Sequence, residues 1–176
     1  MKLLITITTQ DINPEAPIVD HADFSRRDTV RAVVLDSRNK VALLNVAKKG
    51  FHKLPGGGID EGETMENALK RELLEELGVR AEIIAEIGEI HEFWDEEQQM
   101  QISSCYLARQ VGEQTSPSFT EKEQESGFQA LWVETVDEAI TMLKADHPAG
   151  HAGKHIVLRD LLFLETARGI IERRNQ

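Results

Sequence analysis

The chain has a single cysteine, Cys105, in 176 residues, which excludes an intrachain disulfide and any cysteine-rich zinc site. It is also short of positive charge: 20 Lys and Arg face 31 Asp and Glu, a formal net charge of -11. That balance argues against a protein that wraps polymeric nucleic acid with cations. No apolar run approaches the roughly 20 residues needed to cross a bilayer. The opening Met1 to Pro17 lacks both a long apolar stretch and a small-residue cleavage site. No membrane partner is expected, and the expected location is cytoplasmic. Aromatic residues are scarce, at 5% of the chain, so core packing has first claim on each of them. With only 12 Gly and 5 Pro the chain is not fibrous, and 40% hydrophobic residues are enough for one buried core. A single domain over residues 1–176 is expected.

The pattern along the chain is strand-rich. Lys2 to Thr9 reads as a strand, and Asp11 to Pro17 as a loop, so residues 1–28 form an N-terminal strand and loop. Thr29 to Asp36 and Val41 to Ala47 read as a hairpin closed by Ser37 to Lys40. Thr64 to Leu77 contains no Gly or Pro, carries Leu69, Leu73 and Leu77 in one stripe, and stops at Gly78; it reads as a helix. Arg80 to Trp94 and Met100 to Ala108 read as an antiparallel pair. A long polar loop from Gly112 to Ser126 leads to a strand, Phe128 to Glu134, and a helix, Val136 to Lys144. After the breaks at Pro148, Gly150 and Gly153, a C-terminal helix within residues 154–176 closes the chain. The sum is an α+β fold with a mixed sheet and one central helix.

That central helix is chemically unusual. At about 100° per residue, Glu72, Glu75 and Glu76 lie on one side of it. Like charges at such spacing cost roughly 0.2–0.5 kcal/mol per pair, so the arrangement is unfavourable unless a cation sits among them. A hard divalent ion such as Mg²⁺, with Mn²⁺ as substitute, takes oxygen ligands of this kind and shares them with phosphate oxygens. Leu69, Leu73 and Leu77 would pin the helix from behind, and Arg71 stands one turn before Glu75. Gly56, Gly57 and Gly58 allow a close backbone approach to a ligand. Taken alone, any Glu-rich helix after a Gly-rich turn is only a solvated face.

The spacing is more specific than that. The stretch from Gly57 to Val79 resembles the Nudix hydrolase signature, G-x5-E-x7-R-E-U-x-E-E-x-G-U with U aliphatic. Gly57, Glu63, Arg71, Glu72, Leu73, Glu75, Glu76, Gly78 and Val79 match every specified position. Outside this box the resemblance extends from about Asp28 to Leu143 through strand order and Leu54-Pro55-Gly56-Gly57. It implies the Nudix α/β/α sandwich with its central catalytic helix, and Mg²⁺-dependent hydrolysis of a nucleoside diphosphate linked to another moiety. It further implies that Glu72, Glu75 and Glu76 bind metal, with the Gly57 carbonyl as a further ligand. Arg71 and Glu63 would hold the carboxylates in place. The general base varies in the family: here Glu72, Glu76 or a loop glutamate among Glu121, Glu123 and Glu125 are candidates, and Glu123 is preferred within the loop.

The substrate reading is made by elimination. ADP-ribose branches of the family have a proline about fifteen residues past the box and diadenosine-polyphosphate branches a tyrosine; Phe93, Trp94 and Asp95 stand there instead. Asn45 to Phe51 lacks the arginines of the coenzyme A branch. The remainder resembles the MutT-like branch, which converts nucleoside triphosphates, oxidised or not, to monophosphate and pyrophosphate. A nucleotide-sugar or dinucleotide pyrophosphatase and a non-catalytic nucleotide-binding regulator are the alternatives, and a homodimer is left open. Lys48, Lys49, His52 and Lys53 are candidates to reverse the local field for an anion, with Lys53 foremost, and Phe51, Phe93, Trp94 and Trp132 to stack on a base. His147, His151 and His155 recur every four residues, but Pro148, Gly150 and Gly153 argue against one helix aligning them. Cys105 reads as a core residue.

Overall fold

Alternation along the strands splits the apolar residues into two sets, and each set finds its own helical layer. The computed structural model describes residues 1–174. Its strands are β1 (Leu3–Ile7), β2 (Ser25–Leu35), β3 (Val41–Val46), β4 (Phe51–Lys53), β5 (Arg80–Trp94), β6 (Gln99–Val111) and β7 (Phe128–Val133). The helices are α1 (Thr9–Ile12), α2 (Met65–Leu77), α3 (Glu121–Glu125), α4 (Val136–Ala145) and α5 (His151–Arg174). The strands form one seven-stranded mixed sheet in the order β1-β5-β6-β2-β3-β4, with β7 also pairing along β3. β5 and β6 are antiparallel, whereas β1–β5 and β2–β6 are parallel.

In β2, Val30, Ala32 and Val34 point toward Leu69, Leu73 and Leu77 of α2. The alternate residues Val33 and Leu35 pack with Ala139, Ile140 and Leu143 of α4 and Phe163, Leu164 and Ala167 of α5. Each fully buried Leu or Phe of this kind contributes about 1.5–3 kcal/mol. The result is the expected three-layer α/β/α arrangement. Cys105 is fully buried in the second of these clusters, as read, and burial pushes its thiol well above the ordinary range.

Several boundaries differ from the sequence reading. β2 begins at Ser25 rather than Thr29, because its whole length pairs with β6 from Ser25↔Gln99 to Leu35↔Arg109. The loop after β1 contains the helical turn α1, closed by Asp11, which accepts from the Thr8 N–H at 2.7 Å. β2 and β3 meet only at Leu35↔Val41, so the expected hairpin is barely paired. The Gly-rich segment takes the place of β3 alongside β2: Val30 N–H donates to Gly57 O at 3.0 Å and Ala32 N–H to Pro55 O at 3.1 Å. The long loop holds the short α3.

The last helix starts at His151, not after Gly153. Gly153 lies inside it because a Cβ there would stand 2.6 Å from the Pro148 Cβ and 3.2 Å from the Phe51 ring; it is a packing glycine rather than a breaker.

Candidate active site

Thr64 starts α2 by accepting the Asn67 N–H, and Gly78 ends it in a left-handed conformation. Between these caps the expected leucine stripe is buried, and the carboxylates stand beside it. Glu72 and Glu76 are themselves buried, at 8% and 1% exposure, while the Glu75 side chain is 40% exposed.

Arg71 organises one half of the site. Its Nε and Nη2 donate to the two oxygens of Glu63 at 3.1 and 2.9 Å. Nη1 donates to Glu72 Oε1 at 2.8 Å and to Glu75 Oε2 at 3.4 Å, and Nη2 also reaches Gly58 O at 3.1 Å. This fork is held firmly protonated, chiefly by its hydrogen bonds to Glu63, against the opposing effect of burial. The same contact lowers the Glu63 carboxyl below its usual range, helped by the Asp60 N–H. Arg71 and Glu63, expected to hold the carboxylates, are therefore in contact with each other, and Arg71 extends to Glu72 and Glu75.

The other half centres on Glu76. Its Oε2 accepts the Gly56 N–H at 2.6 Å and its Oε1 accepts Lys53 Nζ at 3.1 Å. Burial raises its pKa; Lys53, the Gly56 N–H and Arg31 oppose that shift, and Glu72 adds to it. Lys53 also lies over the Phe128 ring at 4.8 Å.

Two adjacent glycines make these approaches possible for different reasons. Gly56 has φ +126, and a Cβ there would stand 2.1 Å from the Val30 carbonyl oxygen. At Gly57 a Cβ would stand 2.1 Å from Glu72 Oε1, so the carboxylate lies against bare backbone. The Gly57 carbonyl accepts the Val30 N–H and keeps its second lone pair.

The carboxylates do not converge on one point: among the described residues no three His, Cys, Asp or Glu side chains enclose a metal position. Glu72 and Glu75 turn to Arg71, and Glu76 turns to Lys53 and Gly56.

The other expected residues divide. Glu123 closes the N-terminus of α3, its Oε2 accepting the Thr120 N–H at 2.7 Å and the Thr120 hydroxyl at 2.8 Å, whereas Glu121 and Glu125 are exposed. Phe51 is 3% exposed and packs on Gly153, so it is a core residue and not a surface for a base; Phe93 stacks on His21 at 4.1 Å. Trp94 is half-buried, stacked on His155 at 5.1 Å between ring centroids, and donates to Glu92 Oε1 at 3.3 Å. Of the four candidate cations Lys53 alone reaches a box carboxylate, while His52 pairs with Asp146 at 3.0 Å. His151 and His155 do share one helix, with ring centroids 4.6 Å apart, while His147 precedes it.

Sequence reasoning missed a second polar cluster, on the α5 side of the sheet. Arg31, Glu92, Gln101, Ser103, His155, Arg159 and Asp160 are all buried. Glu92 Oε2 accepts from Ser103 at 2.9 Å, Gln101 at 3.0 Å and Arg159 at 3.4 Å. Asp160 takes Arg159 Nε at 2.7 Å and the Leu54 N–H at 2.8 Å. Arg31 Nε and Nη1 and Arg159 Nη2 have no partner among the described residues. Burial first, and Arg159 second, lower Arg31 to a pKa of about 10. The only hint in the sequence was charge within otherwise apolar segments: Arg31 in β2 and Arg159-Asp160 in α5.

This geometry has counterparts. The NUDIX domain profile matches residues 25–154. The chain is 40% identical over 65 residues to the nucleoside triphosphatase NudI of Enterobacter sp. (strain 638), covering 34% of this chain and 46% of that protein. It is 44% identical over 71 residues to an RNA pyrophosphohydrolase of Sulfurovum sp. (strain NBC37-1), covering 37% and 45%. The chain thus spans less than half the length of these curated relatives. A solved NUDIX hydrolase from Nitrosomonas europaea superposes with TM-score 0.62 at 18% identity, over 82% of this chain and 90% of that one. With the family profile covering most of the chain and the sheet and helix layers matching, the protein belongs to the NUDIX domain family.

Proposed function

We propose that the protein hydrolyses the pyrophosphate linkage of a nucleoside triphosphate, releasing monophosphate and pyrophosphate, with Mg²⁺ as its cofactor and Mn²⁺ as a substitute. One observation carries this reading: Glu72, Glu75 and Glu76 line one helix, with four box carboxylates, counting Glu63, against two cations, Arg71 and Lys53. The donor set is all oxygen, and Glu72 lies where a Cβ on residue 57 would be, so hard-cation chemistry fits the residues present.

Glu72, Glu75, Glu76 and the Gly57 carbonyl would hold the metal, which when bound supplies charge neutralisation for phosphate oxygens. The chain's own residues do the rest. Arg71 and Glu63 fix the orientation of Glu72 and Glu75, and the Gly56 N–H fixes Glu76. Lys53 presents an ammonium beside Glu76, a charge of the sign a polyphosphate needs. A box carboxylate, Glu72 or Glu76, takes the proton of the attacking water, since Glu123 is engaged in its helix cap. Trp94, at the end of β5, and Trp132, half-buried in β7 on the α2 side of the sheet, are the remaining named aromatics for the base.

The named activities of the relatives, on nucleoside triphosphates and on RNA, set the panel for the test. Phosphate release would be measured with and without Mg²⁺, after coupling to pyrophosphatase for the triphosphates and to alkaline phosphatase for the nucleotide sugar, ADP-ribose and the dinucleotide, whose products are phosphomonoesters. The substrates are the nucleoside triphosphates and oxidised forms, a nucleotide sugar, ADP-ribose, a dinucleotide and a 5′-triphosphate oligonucleotide. The expected result is Mg²⁺-dependent turnover of a free triphosphate. Preference for the oligonucleotide would move the assignment to RNA ends, and tight binding without turnover would move it to a regulator.

A further inference from the structure

Glu76 stands on α2, yet it takes both of its hydrogen bonds from the segment Lys53 to Gly56. What fixes that loop therefore fixes Glu76. β4 ends at Lys53, so the Leu54 N–H, on a residue with no exposure, has no strand partner. A buried N–H without an acceptor is strongly disfavoured. Asp160 of α5, itself fully buried, supplies the acceptor at 2.8 Å through Oδ2. Its other oxygen, Oδ1, is held by Arg159 Nε at 2.7 Å, and Arg159 is anchored in turn to Glu92 at 3.4 Å.

The loop is thus tied at Leu54 to α5, and at the residues on either side of Leu54-Pro55 to one carboxylate of α2. A carboxylate between a guanidinium and a backbone N–H is a stiff joint, and the joint runs from the rear helical layer through the sheet edge to the candidate metal site.

We propose that Asp160, oriented by Arg159, is a positioning residue for the metal site, setting the place of Glu76 through the Leu54 N–H and the Gly56 N–H. The proposal rests on the reading of Glu76 as a metal ligand. Groups that orient ligands from outside typically change metal affinity by about 10–100-fold when altered.

The test uses the full chain, free of substrate, titrated with Mn²⁺ and followed by electron paramagnetic resonance, together with amide hydrogen exchange at Leu54. In the unaltered protein the Leu54 amide should exchange with the slow, core class; exchange as fast as that of exposed loop amides overturns the proposal without any variant. Asp160→Asn should weaken Mn²⁺ binding about tenfold or more and speed Leu54 exchange. Wild-type Mn²⁺ affinity in that variant overturns the proposal. Should Asp160→Asn fail to fold, Arg159→Lys, which keeps the charge and loses the Nε donor, takes its place with the same expected direction. His155→Phe perturbs the same buried cluster without removing a hydrogen bond to Arg159, Asp160 or the loop, and its Mn²⁺ affinity should stay within about twofold; an equal loss there attributes the effect to general disruption and overturns the proposal. Glu76→Gln is the reference. If it binds Mn²⁺ as the wild type does, the metal assignment of Glu76 fails, while Leu54 exchange in Asp160→Asn still reports separately on the anchoring.

Discussion

Two charged clusters lie on either side of one short loop, and they solve opposite problems. The cluster on α2 has four carboxylates, Glu63, Glu72, Glu75 and Glu76, against Arg71 and Lys53, and is partly open to solvent, with Arg71 31% exposed. The cluster on α5 pairs Arg31 and Arg159 with Glu92 and Asp160, and all four are buried. The first carries surplus negative charge and leaves a role for an added cation. The second is balanced in charge and closed. On the function proposed above, surplus charge held in place would mark the chemistry and balanced charge the support.

The sharpest way to break this contrast is Glu76→Gln. Activity should fall at least about a hundredfold, while the unfolding midpoint stays near or above that of the wild type, since neutralising a carboxyl whose pKa burial has raised removes a desolvation cost. Coupled phosphate release and thermal unfolding check the two halves of that statement, and retained turnover would remove Glu76 from the mechanism.

Two neighbouring glycines separate the roles further. Gly57→Ala places a Cβ on the end of a side chain, Glu72, which must swing away. The expected result is a loss of about tenfold to a hundredfold in turnover with little change in stability. Gly56→Ala instead drives a Cβ into the Val30 carbonyl at a positive φ and should destabilise the fold itself, by about 1–3 kcal/mol or more. Urea unfolding of both variants distinguishes the cases.

The balanced cluster should declare itself through pH. His155 is fully buried, and its pKa is lowered to about 4, first by burial, then by His151 and Arg159, with Asp95 and Asp11 opposing. The folded state thus binds this proton less readily than the unfolded chain. The contribution is present above pH about 6.5 and is lost as pH falls through about 4, a change of about 3 kcal/mol. His155→Phe keeps a ring against Trp94, and neither ring nitrogen has a partner to lose. Urea midpoints between pH 7 and pH 4 should therefore fall less steeply in the variant, and parallel curves would refute the assignment.

Legibility in the sequence followed the same division. α2, its leucine stripe and the Arg71 to Glu76 face were readable because they are local, set by helical period and by residues within one stretch. The layer order was readable from strands of alternating pattern. The α5 cluster was not, because Arg31, Glu92 and Asp160 come together only through strand pairing and helix docking across more than half of the chain. Gly153 misled for the same reason: its helix-breaking tendency is overridden by contact with Phe51 and Pro148. Phe51 itself looked available for stacking because a three-residue strand gives no period from which to read its face.

The smallest expected effect concerns the loop. Thr120 and Glu123 form a reciprocal cap, and glutamine serves at that position as well as glutamate. Glu123→Gln should then leave both the α3 cap and turnover within about twofold of the wild type, measured at saturating Mg²⁺ across pH 6 to 9. A hundredfold loss with α3 intact would mean that Glu123 leaves its cap during turnover to take the proton from water. The base would then come from a mobile loop and not from the rigid helix, and the surplus charge of α2 would serve metal binding alone.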